Sequence, residues 1–312
     1  AMPLLSRKRL ILAKTESTYG TDSVPTGGSD AILVRNLEIT PLQAETVSRD
    51  LIRPYLGVSD QLLAQTRVEV TFEVELAGSG TAGTAPAYGP VLKACGLSET
   101  VVASTSVTYA PVSSSFSSVS LYFHNDGIRH RVTGCRGTFS LNAEVGQIPT
   151  ISFTLTGIYN APTDVALPSP TYANQAAPLI FKNGNTSNFS AFSYAGCLQS
   201  LSFDVSNSIV YRELVGCTKE VLITDRQPSG TCVIEAPSIA TKDFFTIANG
   251  SSTGSITFQH GATAGNIVTF TTAQADIGSP TYSDQDGIQM LNLPYVAIPT
   301  SAGNDELSLA YT

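Results

Sequence analysis

Residues 66–76, TRVEVTFEVEL, place Val68, Val70, Phe72, Val74 and Leu76 at alternate positions, with Arg67, Glu69, Thr71, Glu73 and Glu75 between them. Successive side chains of a strand point to opposite faces, so this pattern predicts one face in a core and the other in water. TISFTLT, 150–156, sets Ile151, Phe153 and Leu155 inward against Ser and Thr in the same way. Such strands belong to antiparallel sheets with one wet face. SVSLYFHNDGIRHRV, 118–132, predicts a hairpin turning at Asp126–Gly127, followed by a strand in GTFSLNAEV, 137–145. GSITFQ, NIVTFTT, GIQMLNL and ELSLAYT predict four more strands between 254 and 312. Two short helices are expected, in PAYGPVLKACG (86–96) and TKDFFTIANG (241–250), with Gly96 and Gly250 at the C′ position beyond each last turn. The expected fold class is all-β with short helices.

The pattern also repeats. VSRDLI, 47–52, returns as VYRELV, 210–215, with Arg49 and Asp50 answered by Arg212 and Glu213. NLEITPL (36–42) precedes the first copy and TRVEVTFEVEL follows; SLSFDVS (200–206) precedes the second and TCVIEA (231–236) follows. The spacing from strand to hexapeptide to strand agrees within about two residues, which predicts a duplicated unit of roughly 125 residues. Each copy is expected to end in an alternating strand. The division read from the chain is an N-terminal arm at 1–32, a first domain at 33–159, a Pro-, Asn- and Ser-rich linker at 160–196 and a second domain at 197–312.

Composition supports strands over long solvated helices: 42% of residues are apolar but only 13% charged. Five cysteines, Cys95, Cys135, Cys197, Cys217 and Cys232, form an odd set without CxxC spacing, so neither a disulfide framework nor a zinc site is indicated and a reducing compartment is expected. The apolar run in PLLSRKRLILAK is broken by Arg and Lys before reaching signal-peptide length, and no window suggests a helical membrane span. A formal charge of −8 argues against a protein that grips nucleic acid through clustered Lys and Arg.

Catalytic signals are weak. GSGTAG (78–83) matches GxGxxG, but the strand before it alternates and Pro86 delays the helix, so a connecting loop is expected instead of a dinucleotide site. GSSTG (250–254) matches GxSxG, yet its order is helix, turn, strand, the reverse of a nucleophile elbow. His124 and His130 flank a hairpin turn with no further ligand placed to complete a metal site. Asp284 with Asp286, and Asp305 with Glu306, lack calcium-loop spacing and read as solvated turns. No catalytic residue, metal or cofactor is expected.

The opening LLSRKRLILAKTESTYGTDSVPT, the strand ILVRNLEITPLQAETVSRDLIRPYLG and the following TRVEVTFEVEL resemble the start of major tail tube proteins of long-tailed, non-contractile bacteriophages, in particular transposable siphophages. The resemblance is specific over about residues 4–76 and looser beyond. It implies β-sandwich-like tube domains, each with a flanking helix, whose sheets join neighbours into a ring with a continuous inner barrel. Stacked rings would form a tail tube through which the genome is ejected. It further implies contacts to adjacent subunits or rings from residues 4–30 and 42–65. The implied partners are the protein itself, a terminator and a tape-measure component, with double-stranded DNA passing unbound and no membrane. The implied location is the virion tail, assembled in the host cytoplasm. A non-catalytic adhesion or receptor-binding β-sandwich is the alternative.

Single-domain members close hexameric rings, whereas this chain carries the unit twice. If each domain lends four strands, six domains give about 24 strands, closing at roughly 45–50 Å between opposing backbones and leaving a bore of roughly 35–40 Å. A duplicated chain is therefore expected to form a trimer with pseudo-sixfold symmetry. A conduit must not bind what it conducts, so carboxylates are expected on the wet face: Glu69, Glu73, Glu75, Glu144, Asp204 and Glu235 are the lumen-facing candidates. Arg49, Asp50, Arg212 and Glu213 are the inter-subunit candidates, because adjacent residues of a strand point to opposite faces and cannot pair with each other.

Overall fold

The computed structural model describes residues 3–312. Its first half contains β1 (Arg9–Thr15), β2 (Ala31–Ile32), β3 (Arg35–Ser48), β4 (Gln61–Glu75), helix α1 (Gly89–Ala94), β5 (Leu97–Val102), β6 (Ser106–Pro111), β7 (Val119–Asn125), β8 (Ile128–Glu144) and β9 (Thr150–Tyr159). The second half contains β10 (Thr163–Asp164), β11 (Thr186–Ala191), β12 (Leu198–Asp204), β13 (Asn207–Arg212), β14 (Glu220–Arg226), β15 (Ser229–Glu235), helix α2 (Phe244–Asn249), β16 (Thr253–His260), β17 (Val268–Ile277), β18 (Thr281–Gln285), β19 (Ile288–Ala297) and β20 (Ser308–Tyr311). The chain is all-β with two short helices.

One antiparallel sheet runs through both halves in the order β3-β4-β9-β8-β12-β15-β19-β18. Four strands come from each half, and the junction is β8 with β12, where Ser140–Glu144 pair with Ser200–Asp204. Behind it lie the outer layers β2-β1-β7-β8 and β11-β16-β17-β20-β6-β5. β8 is a single 17-residue strand serving both layers, with a bulge between Thr133 and Arg136, where the expected hairpin arm and GTFSLNAEV merge. Bulges bend a strand and increase its twist, which is what carrying it from one layer to the other requires.

The two halves share a pairing order. β1 beside β7 corresponds to β11 beside β16; β4 beside β9 corresponds to β15 beside β19; and β8 corresponds to β17 plus β18, interrupted at Gly278–Pro280. The counterpart of β9 is thus β19. The final alternating strand, β20, instead pairs with β17 and β6, the position that the two-residue β10 takes beside β8. Segment 1–32 supplies β1 and β2, and segment 160–196 supplies β10 and β11.

Alternation explains the core. Val68, Val70, Phe72 and Val74 are buried beneath β4, and Ile151, Phe153 and Leu155 beneath β9. Phe72, Phe139, Phe153, Phe203, Phe258 and Phe270 are almost wholly enclosed, each contributing roughly 1.5–3 kcal/mol by burial. A single apolar cluster spans the halves. Across it the Tyr88 and Tyr311 hydroxyls meet at 2.9 Å, and Tyr109 packs edge-on against Tyr311. The β7–β8 turn is left-handed at Asp126 and Gly127, as Asn/Asp-Gly hairpin turns demand.

The helices differ at their ends. α1 closes as expected, with Cys95 as C-cap and Gly96 left-handed at C′. α2 departs from expectation: Gly250 is the C-cap itself at φ −89°, and Ser251 takes the left-handed position. Asp243 caps the start of α2, accepting from Thr246 N at 2.9 Å.

Candidate functional site

The cross-strand registers place all six acidic candidates on one face of the eight-stranded sheet. Glu73, Ser152, Ser140, Asp204 and Ser229 form one row; Glu75, Thr150, Asn142, Ser202 and Thr231 form the next. Glu69 lies opposite Thr156, and Glu144 opposite Ser200. Glu235 shares its strand face with Ser229 and Thr231 by period two. From β9 to β18 the register positions on this face are Ser, Thr, Asn, Gln, acids or apolar residues, with Arg136 the one cation.

Arg136 does not project freely. It is buried, donates to Glu220 Oε1 at 3.1 Å and to the carbonyls of Val221, Phe116 and Ser117, and stacks on Tyr19. It thereby fastens the hairpin β13–β14 of the second half onto β8 of the first. Tyr19 completes the dock, accepting from Val221 N at 2.6 Å and donating to Gly134 O; burial pushes its hydroxyl up to about 12. Asn207 donates from its amide to Cys95 O and Gly137 O. The contacts made by β13–β14 join residues about 70 to 200 positions apart, and no local pattern in the sequence announces them.

Two hairpins therefore stand at one end of the sheet. β13–β14 is docked, while β3–β4 extends past the sheet into an exposed loop at 49–60. Ile52, Leu56 and Val58 are almost bare there, as is Val215 at the second tip. Arg67 of β4 lies over the Tyr211 ring of β13, 5.9 Å from its centroid.

The four inter-subunit candidates sit at these tips. β3 ends at Ser48 and β13 at Arg212, so Asp50 and Glu213 lie beyond the strands, and the opposite-faces premise does not apply to them. Arg49 holds Asp60 through two contacts near 3.0 Å, and Asp50, left-handed at φ 36°, accepts from Ser48 Oγ. Glu213 pairs with Lys219 at 3.1 Å and accepts from Tyr211, whose hydroxyl is pushed up to about 12 by burial and by that carboxylate. Arg212 has no carboxylate partner among the described residues.

The catalytic look-alikes have structural occupations. Gly78 N donates to Asn266 Oδ1 and Gly80 N to Gly265 O, so GSGTAG is clamped to the 261–266 loop; a Cβ on Gly78 would strike Gly265 O. Ser252 lies in the turn from α2 into β16. His124 and His130 are not opposite one another: His124 faces Arg129 and His130 faces Phe123. Of the acidic pairs read as solvated turns, Glu306 is in fact buried in a bidentate pair with Arg226 at 2.8 and 3.2 Å. Asp305 closes a local loop on Thr300, Asp284 lies on β18, and Asp286 forms the β18–β19 turn with Gly287.

No curated protein matches the chain. A family model described as phage tail tube protein matches residues 6–297, nearly its whole length. An all-β chain, a duplicated pairing order, a continuous sheet with an acidic, hydroxyl-rich face and open edges, and this match agree: the chain belongs to the phage tail tube protein family.

Proposed function

We propose that three copies close the eight-stranded sheet into a barrel of about 24 strands, whose acid- and hydroxyl-bearing face lines a bore of roughly 35–40 Å. Rings stack into the tail tube, and double-stranded DNA passes through during ejection without being held. The two units of one chain, bounded as read from the sequence, take quasi-equivalent places in the ring. The protein does no catalysis. Its partners are further copies of itself and the tail components at the tube's ends and core, and it assembles in the host cytoplasm.

One observation carries this reading: a single sheet with four strands from each half, one dry face and one wet face, both ends unpaired. Unpaired edges expose rows of backbone donors and acceptors and invite another chain. From β9 to β18 the wet face gives DNA little to grip, since each Lys or Arg contact to phosphate adds affinity, and its cations on β3 and β4 are Arg35, opposite Glu73, and Arg67, over the Tyr211 ring. Glu69, Glu73, Glu75, Glu144, Asp204 and Glu235 supply repulsion there instead.

Negative-stain images of concentrated protein, averaged for threefold symmetry, test the reading. Annular particles of three chains with a bore near 35–40 Å are expected. Compact trimers without a lumen would instead favour an adhesion role.

A further inference from the structure

The chain contains one junction between its halves and, at its ends, two unpaired edges that correspond to the two sides of that junction. Resting on the ring reading, we infer that β18 of one copy pairs antiparallel with β3 of the next in a register copied from β8 and β12: Thr281 opposite Thr40, Tyr282 opposite Ile39, Ser283 opposite Glu38 and Asp284 opposite Leu37.

The register follows from the strand pairings. β4 and β15 align at their ends, where Leu76 N donates to Pro149 O as Ala236 N donates to Gln289 O, so Thr71 corresponds to Thr231 and Glu73 to Val233. Ser140 is reached from Glu73 through Ser152, and Thr281 from Val233 through Asn292, so β8 and β18 correspond at Ser140 and Thr281. Glu38 pairs with Thr71 as Ser202 pairs with Thr231, so β3 and β12 correspond at Glu38 and Ser202. Inside the chain Ser140 faces Asp204, Leu141 faces Phe203 and Asn142 faces Ser202. Substituting counterparts gives the pairs above.

Three independent features fit. Leu141 at the internal junction is 1% exposed, whereas its counterpart Tyr282 is 56% exposed and rests only against Phe245 among aromatic rings. Beside the β3 edge is a hollow of about 310 Å³, floored by Ile39 and Phe123 and rimmed by Arg9 and Glu38. The Tyr282 ring comes opposite Ile39 and enters it.

Charge agrees as well. The counterpart of Asp284 is Ala143, buried, so an acid there needs a partner. Asp284 comes opposite Leu37, whose carbonyl already accepts from Arg9 Nη1 at 2.8 Å, and Arg9 has no carboxylate partner among the described residues. The arriving carboxylate meets that guanidinium.

The third feature concerns the projecting hairpin. The repeat makes the β3–β4 hairpin the counterpart of β13–β14, whose first residue, Asn207, donates its amide to the C-cap carbonyl of α1 and to Gly137 O. Their counterparts on the next copy are Gly250, the C-cap of α2, and Gly278, where β17 breaks. The β3–β4 hairpin thus lands on its neighbour as β13–β14 lands within the chain.

Disulfide trapping tests the register. With the exposed Cys197 and Cys217 replaced by Ser, Glu38→Cys with Ser283→Cys places two thiols directly opposite, about 4.5–5.5 Å apart at Cβ, while Glu38→Cys with Gln285→Cys sets them diagonally, about 7–8 Å apart. Both pairs lie on the wet face, where folding tolerates them. On mild oxidation the first pair is expected to give covalent dimers and closed trimers, about tenfold more than the second. Rings visible by microscopy with the shifted pair linking equally well, or neither linking, overturn the register but leave the ring. Absence of rings and of crosslinks removes both. As a second measurement, Arg9→Glu and Asp284→Arg each lower ring yield and together restore it; failure of the double variant to recover overturns the ion pair and the register with it.

Discussion

His124 shows how burial turns one residue into a pH sensor of stability. It is enclosed in β7 with Nδ1 unpartnered, and burial together with the facing Arg129 lowers its pKa from 6.5 to about 4. The folded state therefore resists a proton that the unfolded chain accepts, so its full contribution is present above about pH 6.5 and is lost as pH falls toward 4. The expected loss is on the order of 3 kcal/mol. Thermal melts from pH 7 to 4.5 should fall steadily, and His124→Leu should make the fall shallower; an unchanged slope would exonerate the residue. His130 and His260, also lowered by burial, keep part of the slope. Arg226 is a residue of another kind. It binds Glu306 side-on through Nε and Nη2 and donates from Nη1 to Val112 O, at a site where the ion pair is largely covered. Arg226→Met leaves a buried carboxylate unpaired and should cost about 3–5 kcal/mol in a denaturant titration, with Glu306→Gln added in the same chain recovering part.

Among elements, the hairpins β3–β4 and β13–β14 descend from the same repeated hexapeptide, yet one is docked and the other projects. The difference lies in what each can reach within its own chain: β13–β14 finds Arg136, Tyr19 and the α1 C-cap, whereas β3–β4 finds only the flank of Tyr211. Exposed apolar patches are a common feature of interaction surfaces, so the tips are where an assembly defect is expected to show. Reversing charge at both tips, Arg49→Glu with Arg212→Glu, should leave the monomer melt within about 0.5 kcal/mol of the parent, because exposed pairs such as Arg49–Asp60 contribute little. Polymerisation, followed by light scattering, should drop. Unchanged assembly would remove these arginines from the contact surface. The same scale shows why some elements were legible. Strict alternation in β4 and β9 and the Asp126–Gly127 turn fixed strands and hairpin locally. β18, TYSDQ, is not legible in the sequence although Asp286–Gly287 offers the same turn signal, because its positions show no alternation between a buried and an exposed face.

For the whole molecule, sheet continuity converts a duplicated sequence into a surface. A face that carries Glu38 besides the six acids read from the sequence, many hydroxyls, and a central cation turned inward to Glu220 should tolerate new charges structurally while changing what it does to DNA. Glu73→Lys, Asp204→Lys and Glu235→Lys together should give assembled tubes an affinity for duplex DNA that falls steeply with salt, since each phosphate neutralised adds nearly one to the log–log slope. Binding indistinguishable from the parent at low salt would place these residues away from the bore.

The sequence alone determined the class of fold, the dry and wet faces of its principal strands, the turn at Asp126–Gly127 and the presence of two related units, because alternation, turn chemistry and repetition are local properties of the chain. It also selected six acids that share one face, since period two along each strand carries that information. Tertiary structure alone decided that β8 and β12 join the units into one sheet, that Glu306 is buried against Arg226, that Arg136 points to Glu220, and that one hairpin docks while its relative does not. Those outcomes depend on pairings between residues far apart, where the free energy of contact belongs to neither segment until both are in place.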